Sequence, residues 1–97
     1  MTFEEFKSSL KEESPPDGID KTLAALWYDV KGIWDKAHRV AQGINNTTGS
    51  WIHAYLHRKE GDSSNAAYWY SKAGKSFPDM SLQEEWETIV KELLKEV

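Results

Sequence analysis

An all-α fold of about six short helices, with two stacked antiparallel hairpins between N- and C-terminal helices, is what this 97-residue chain predicts. Three observations lead there. No segment alternates apolar and polar residues long enough for a strand. Two capping boxes, Thr2-Phe3-Glu4-Glu5 and Ser81-Leu82-Gln83-Glu84, open segments with helical spacing. The middle of the chain also aligns with itself without a gap, Ala25 onto Ala54 and Ala37 onto Ala66, an offset of 29 residues.

In the first helix the apolar stripe is Phe3, Phe6 and Leu10, and Ser14-Pro15-Pro16-Asp17-Gly18 ends it, because proline cannot continue a helix and restricts the residue before it. Asp20 is placed to cap TLAALWYDVK, which stops at Gly32. WDKAHRVAQ then runs to Gly43, and Asn45–Gly49 forms a polar loop. Ser50 is the expected cap of WIHAYLHRKE, which ends at Gly61; Asp62 and Ser63 cap NAAYWYSKA, which ends at Gly74. Pro78 interrupts again, and the last helix carries Leu82, Trp86, Ile89, Val90, Leu93 and Leu94 on one stripe.

The 29-residue offset pairs Gly32 with Gly61, Leu23 with Ile52 and Val40 with Trp69. Each unit is helix, glycine turn, helix, and two such hairpins bury their apolar faces only by stacking, with the end helices as caps. The expected layout is one domain: residues 1–19 as N-terminal helix and turn, 20–49 as the first hairpin, 50–78 as the second, and 79–97 as the C-terminal cap.

The second unit, Ala54, Gly61-Asp62, Ala66, Tyr70, Ala73 and Pro78, resembles the tetratricopeptide-repeat class, with its small residue in the first helix, Gly-Asp turn, and alanine-aromatic-alanine pattern in the second. The first unit shares Gly32, Trp34 and Ala37. ALWYDVKGIWDKAHRVAQ and SWIHAYLHRKEGDSSNAAYWYSKAG also resemble a group of small uncharacterised bacterial all-helical proteins. These resemblances imply a helical fold and an interaction surface; they carry no activity.

Composition removes several classes of function. With no cysteine, disulfide scaffolds, thiolate metal sites and thiol enzymes are excluded. The longest apolar run, LAALWY, falls far short of the ~20 residues of a membrane span. MTFEEFKSSL is acidic and amphipathic, unlike a secretory leader, so a cytoplasmic location is expected and the acceptor-like Asn46-Thr47-Thr48 is a chance match. The net charge of −4 is distributed as −4 over residues 1–20, +4 over 21–76 and −4 over 77–97. An acidic chain without a dense Lys/Arg stripe is not expected to bind nucleic acid. The cationic middle holds all three histidines, all four tyrosines and four of the five tryptophans.

Within that middle, Trp51, Tyr55 and Arg58 follow at i, i+4, i+7 with Lys59 beside them, which suits a receptor for a carboxylate or phosphate. Their repeat equivalents, Thr22, Leu26 and Asp29, differ, so the stripe marks either a site or a different packing neighbour. Tyr68, Trp69 and Tyr70 spread over about 200° of a helix, which leaves one ring for a partner unless helices cover both sides. Trp51, Tyr55, Arg58, Lys59 and Tyr68 are the expected binding residues for a peptide or protein partner, and five tryptophans also suggest a homodimer. The alternative is a small-molecule or metal site. His53, His57 and Glu60 fall at i, i+4, i+7, a spacing that suits two imidazoles and a carboxylate on a metal, or two structural histidines. His38 and Arg39 are expected at the surface, paired with Asp35 or Asp29. No cofactor motif and no catalytic constellation is legible, which leans away from an enzyme.

Overall fold

The computed structural model describes residues 1–95 and is all-α over them. Six helices follow in order: α1 (Phe3–Ser9), α2 (Lys21–Val30), α3 (Trp34–Gln42), α4 (Thr47–Lys59), α5 (Ser63–Lys72) and α6 (Leu82–Leu94). Residues 96 and 97, assigned by their sequence to the terminal cap, lie outside the described residues. No helix among the described residues is long and apolar enough to cross a membrane.

Local chemistry fixes most of the helix starts. Thr2 and Ser81 form complete capping boxes with Glu5 and Glu84, while Asp20 and Asp62 accept from the Thr22 and Asn65 amides. Between α2 and α3, and between α4 and α5, the chain reverses through Gly32 (φ 80°) and Gly61 (φ 88°), a left-handed backbone that glycine adopts without a Cβ clash. These two glycines are the repeat partners.

One boundary differs from expectation. α4 begins at Thr47 rather than after Ser50, because the Asn46 side chain accepts from the Gly49 amide at 2.8 Å and starts the helix a turn earlier. Gly49 then lies against Ile44 so closely that a Cβ would fall 2.3 Å from the Ile44 carbonyl oxygen. Ser50 is left inside the helix, buried.

The helices pair as α2 with α3 and α4 with α5, and α3 packs on α4. Ala25, Ala54, Ala37 and Ala66 are all fully buried, so the duplicated small residues mark the close approaches of the hairpins. α6 lies across α2 and α4, and α1 packs on α6, with Phe3 and Phe6 against Trp86 at centroid distances of 6.3 and 6.0 Å. The Trp86 indole donates to the Leu26 carbonyl at 3.1 Å, and Trp27 donates to Ser9 Oγ at 3.2 Å. Lys31 ties down the segment after α1 by donating to the carbonyls of Leu10 and Glu12. Phe6, Leu26, Trp27, Ile52, Leu56, Ile89 and Val90 form the centre of the core.

Candidate functional site

Two carboxylates are buried among the helices, and they decide the role of the expected binding stripe. Asp29 is 3% exposed and Glu85 is 2% exposed. A buried carboxylate persists only when cations and hydrogen-bond donors replace its water. Asp29 accepts from Lys59 Nζ on Oδ1 (2.9 Å) and from the Tyr55 hydroxyl on Oδ2 (3.1 Å). Glu85 accepts from Arg58 Nη1 on Oε1 (2.8 Å) and from the Tyr70 hydroxyl on Oε2 (2.6 Å), and Arg58 also donates to the Met80 carbonyl. Burial, then the neighbouring carboxylate, raises both tyrosine hydroxyls well above the usual phenol range and keeps them as donors.

This corrects the reading of the stripe as an open receptor. Tyr55 is 2% exposed, and the polar ends of Tyr55, Arg58 and Lys59 are spent on internal acids. Trp51 is buried, with Lys75 Nζ 4.0 Å above its ring. Of the expected binding residues only Tyr68 is an open aromatic, at 57% exposure, while its neighbour Tyr70 is buried. The break in repeat symmetry at Asp29 and Arg58 has a packing cause: the acids of α2 and α6 meet the bases of α4.

The histidines lie on the other side of α4. His53 and His57 stack on each other at 4.9 Å, and His38 from α3 meets both edge-on at 4.8 and 5.3 Å. One ring nitrogen from each of the three lies within 4.8 Å of the others. Trp34 stacks on His38 at 4.7 Å and Trp69 on His53 at 4.1 Å, so indoles from α3 and α5 wall the cluster. Among the described residues the buried Nε2 of His38 has no hydrogen-bond partner, and neither has Trp34 Nε1. The His53 ring forms no hydrogen bond among them, while the Nδ1–H of His57 donates to Glu60 Oε1 at 2.6 Å.

The expected trio of His53, His57 and Glu60 is thereby rearranged. Glu60 binds behind His57 instead of converging with His53, and the third converging side chain is His38, which pairs with neither Asp35 nor Asp29. Sequence spacing could not supply His38, since it sits on another helix. Its signal was the position one turn beyond Trp34 on a helix whose partner carries the other two. Burial, reinforced by the other two histidines, lowers His53 to about 4. Burial and His57 also lower His38, against the opposing pull of Glu60 and Asp35. Both imidazoles are therefore neutral near pH 7, with lone pairs available. A second convergent group, His57, Glu60 and Asp62, shares one histidine but relies on exposed carboxylates, and Asp62 is already engaged with Asn65.

Beside the cluster is a cleft of about 510 Å³ between the end of α3, the 43–46 loop, the first turns of α4, and α5, with His53 on its wall. Comparison of the chain with protein-family models, with curated proteins and with solved structures finds no match. The site stands on its geometry.

Proposed function

We propose that the protein binds a divalent transition metal of the zinc type through His38, His53 and His57. The observation that carries this reading is the convergence of three imidazoles from two helices, one of them with a buried ring nitrogen left without a partner among the described residues. Such an orphan costs about 1–3 kcal/mol unless something occupies it.

Three features support the same chemistry. The ligating form of histidine is the neutral one, and burial holds His38 and His53 in it. Glu60 accepts the Nδ1 proton of His57, which fixes the tautomer and leaves the Nε2 lone pair free; carboxylates stand behind ligating histidines in this way. The spacing is also within reach. Zn–N bonds of ~2.0–2.1 Å place two tetrahedral nitrogens about 3.4 Å apart, so ring movements of about 1 Å close a cluster that now spans 4.8 Å. Three nitrogen ligands leave a fourth position for water or an added ligand.

Titration with Co²⁺, which reports tetrahedral nitrogen ligation through its visible absorption, tests the proposal. One equivalent should bind to the wild type. His38→Ala should abolish the tetrahedral bands, and Glu60→Gln should weaken binding by about 10–100-fold. A wild type without saturable binding, or a His38→Ala variant that binds as well, overturns it.

A further inference from the structure

We infer that the cleft beside His53 binds a small molecule through a carboxylate or phosphate group. The argument starts from what lines it. In a chain with 16 acids and 12 bases, the described residues that wall it include no carboxylate. They do contain a lysine, a histidine, two hydroxyls and three side-chain amides.

Those groups are also uncommitted. Lys72 forms no ion pair among the described residues; its Nζ rests 4.9 Å from the Trp69 ring centre and 5.8 Å from that of Tyr68. His53 is 7% exposed and its ring makes no hydrogen bond among the described residues, a polar group at a wall it does not bond to. Thr47, Ser50 and His53 follow at i, i+3, i+6 on α4, so they present one row to the cleft. The Asn46 side-chain Oδ1 accepts from the Gly49 amide, which leaves its side-chain NH₂ hydrogens for an acceptor. The positive end of the α4 dipole lies at the same mouth and adds to the field without being needed to define the site.

Among the described residues, donors without acceptors, one free cation and no opposing acid at this cleft select an oxyanion. The volume lies within the ~300–1,000 Å³ of small-ligand sites, more than a bare anion fills. The rest of the ligand would lie against Ala41, Ile44 and the Trp69 indole. This site does not require the metal reading, although the His53 ring belongs to both the cleft and the cluster.

The test uses the metal-free full chain, ¹⁵N-labelled and followed by NMR, with inorganic phosphate or succinate as probe against sodium chloride at equal ionic strength. Expected are saturable shifts confined to Thr47, Ser50, His53, Trp69 and Lys72, with a dissociation constant on the order of 1 mM. Lys72→Gln, at an exposed position that leaves the core intact, should weaken binding about tenfold, while Lys75→Gln in another cleft should not. Stronger shifts with phosphate than with succinate would assign a phosphate ligand, and the reverse a carboxylate. Shifts spread over the whole surface, no saturation with either probe, or equal loss in the two lysine variants would overturn the inference. Because no metal is present, neither result depends on the cobalt titration.

Discussion

Arg58→Met is the substitution on which the internal role of the α4 bases can be decided. The guanidinium is the only cation within hydrogen-bond distance of Glu85 among the described residues, and Glu85 is 2% exposed. Methionine keeps most of the apolar stem and removes the charge, so the variant buries a carboxylate whose remaining partner is the Tyr70 hydroxyl. Breaking a buried pair on one side costs about 3–5 kcal/mol, a large share of the ~5–15 kcal/mol that holds a domain together. At about 4–8 °C per kcal/mol for a chain of this size, the melting temperature should fall by at least about 12 °C. Glu85→Gln in the same chain removes the stranded charge while still accepting from Tyr70, so the double variant should recover most of the loss. A double-mutant cycle followed by circular dichroism in urea should give a coupling of about 2 kcal/mol or more. If Arg58→Met melts within about 4 °C of the wild type, Glu85 has no need of Arg58, and the guanidinium is again free for a ligand.

Three further outcomes follow from the geometry. In metal-free protein kept in chelator, His53 takes up its proton at about 4 when folded and near 6.5 when unfolded, so the unfolded chain binds more protons between those values. The contribution of His53 to stability is then fully present above pH 6.5 and is lost progressively as pH drops towards 4; urea midpoints across that window should show the slope, and a His53→Asn chain should show a shallower one. Gly49→Ala forces a Cβ to within 2.3 Å of the Ile44 carbonyl oxygen and should cost about 1–3 kcal/mol, read from thermal melts; an unchanged melting temperature would mean that the 43–46 loop yields freely. Zn²⁺ at 100 times its dissociation constant should stabilise the wild type by about 2.7 kcal/mol and leave His38→Ala unaffected, a difference visible by calorimetry.

The fold was legible because its signals are local. Capping boxes at Thr2 and Ser81, the Asp20 cap, the glycine reversals at 32 and 61, and the duplicated alanines each act within a turn or two of chain. The α4 start falls a turn earlier than the sequence suggests because two polar residues, Asn46 and Ser50, both suit a cap, and the Asn46 side chain takes the Gly49 amide. The site was harder for a different reason. Periodicity along α4 shows which residues share a face, but not what the next helix brings to it. Tyr55, Arg58 and Lys59 looked available because Asp29 and Glu85, ordinary helix acids by sequence, gave no sign of being buried. His53 and His57 were visible as a pair, and their third neighbour was not, since it comes from α3.

The placement of α6 bears on how the chain comes together during synthesis. Glu85, Trp86, Ile89 and Val90 are made late, yet they complete the wall against which α2 and α4 rest, and Trp86 reaches back 60 residues to Leu26. A nascent chain ending before α6 would hold its two hairpins with Arg58 and Tyr70 facing an open apolar trough. It should be loose, sticky and readily cleaved, and a tag or fusion joined after Leu94 would be gentler on expression than a truncation anywhere within the last helix.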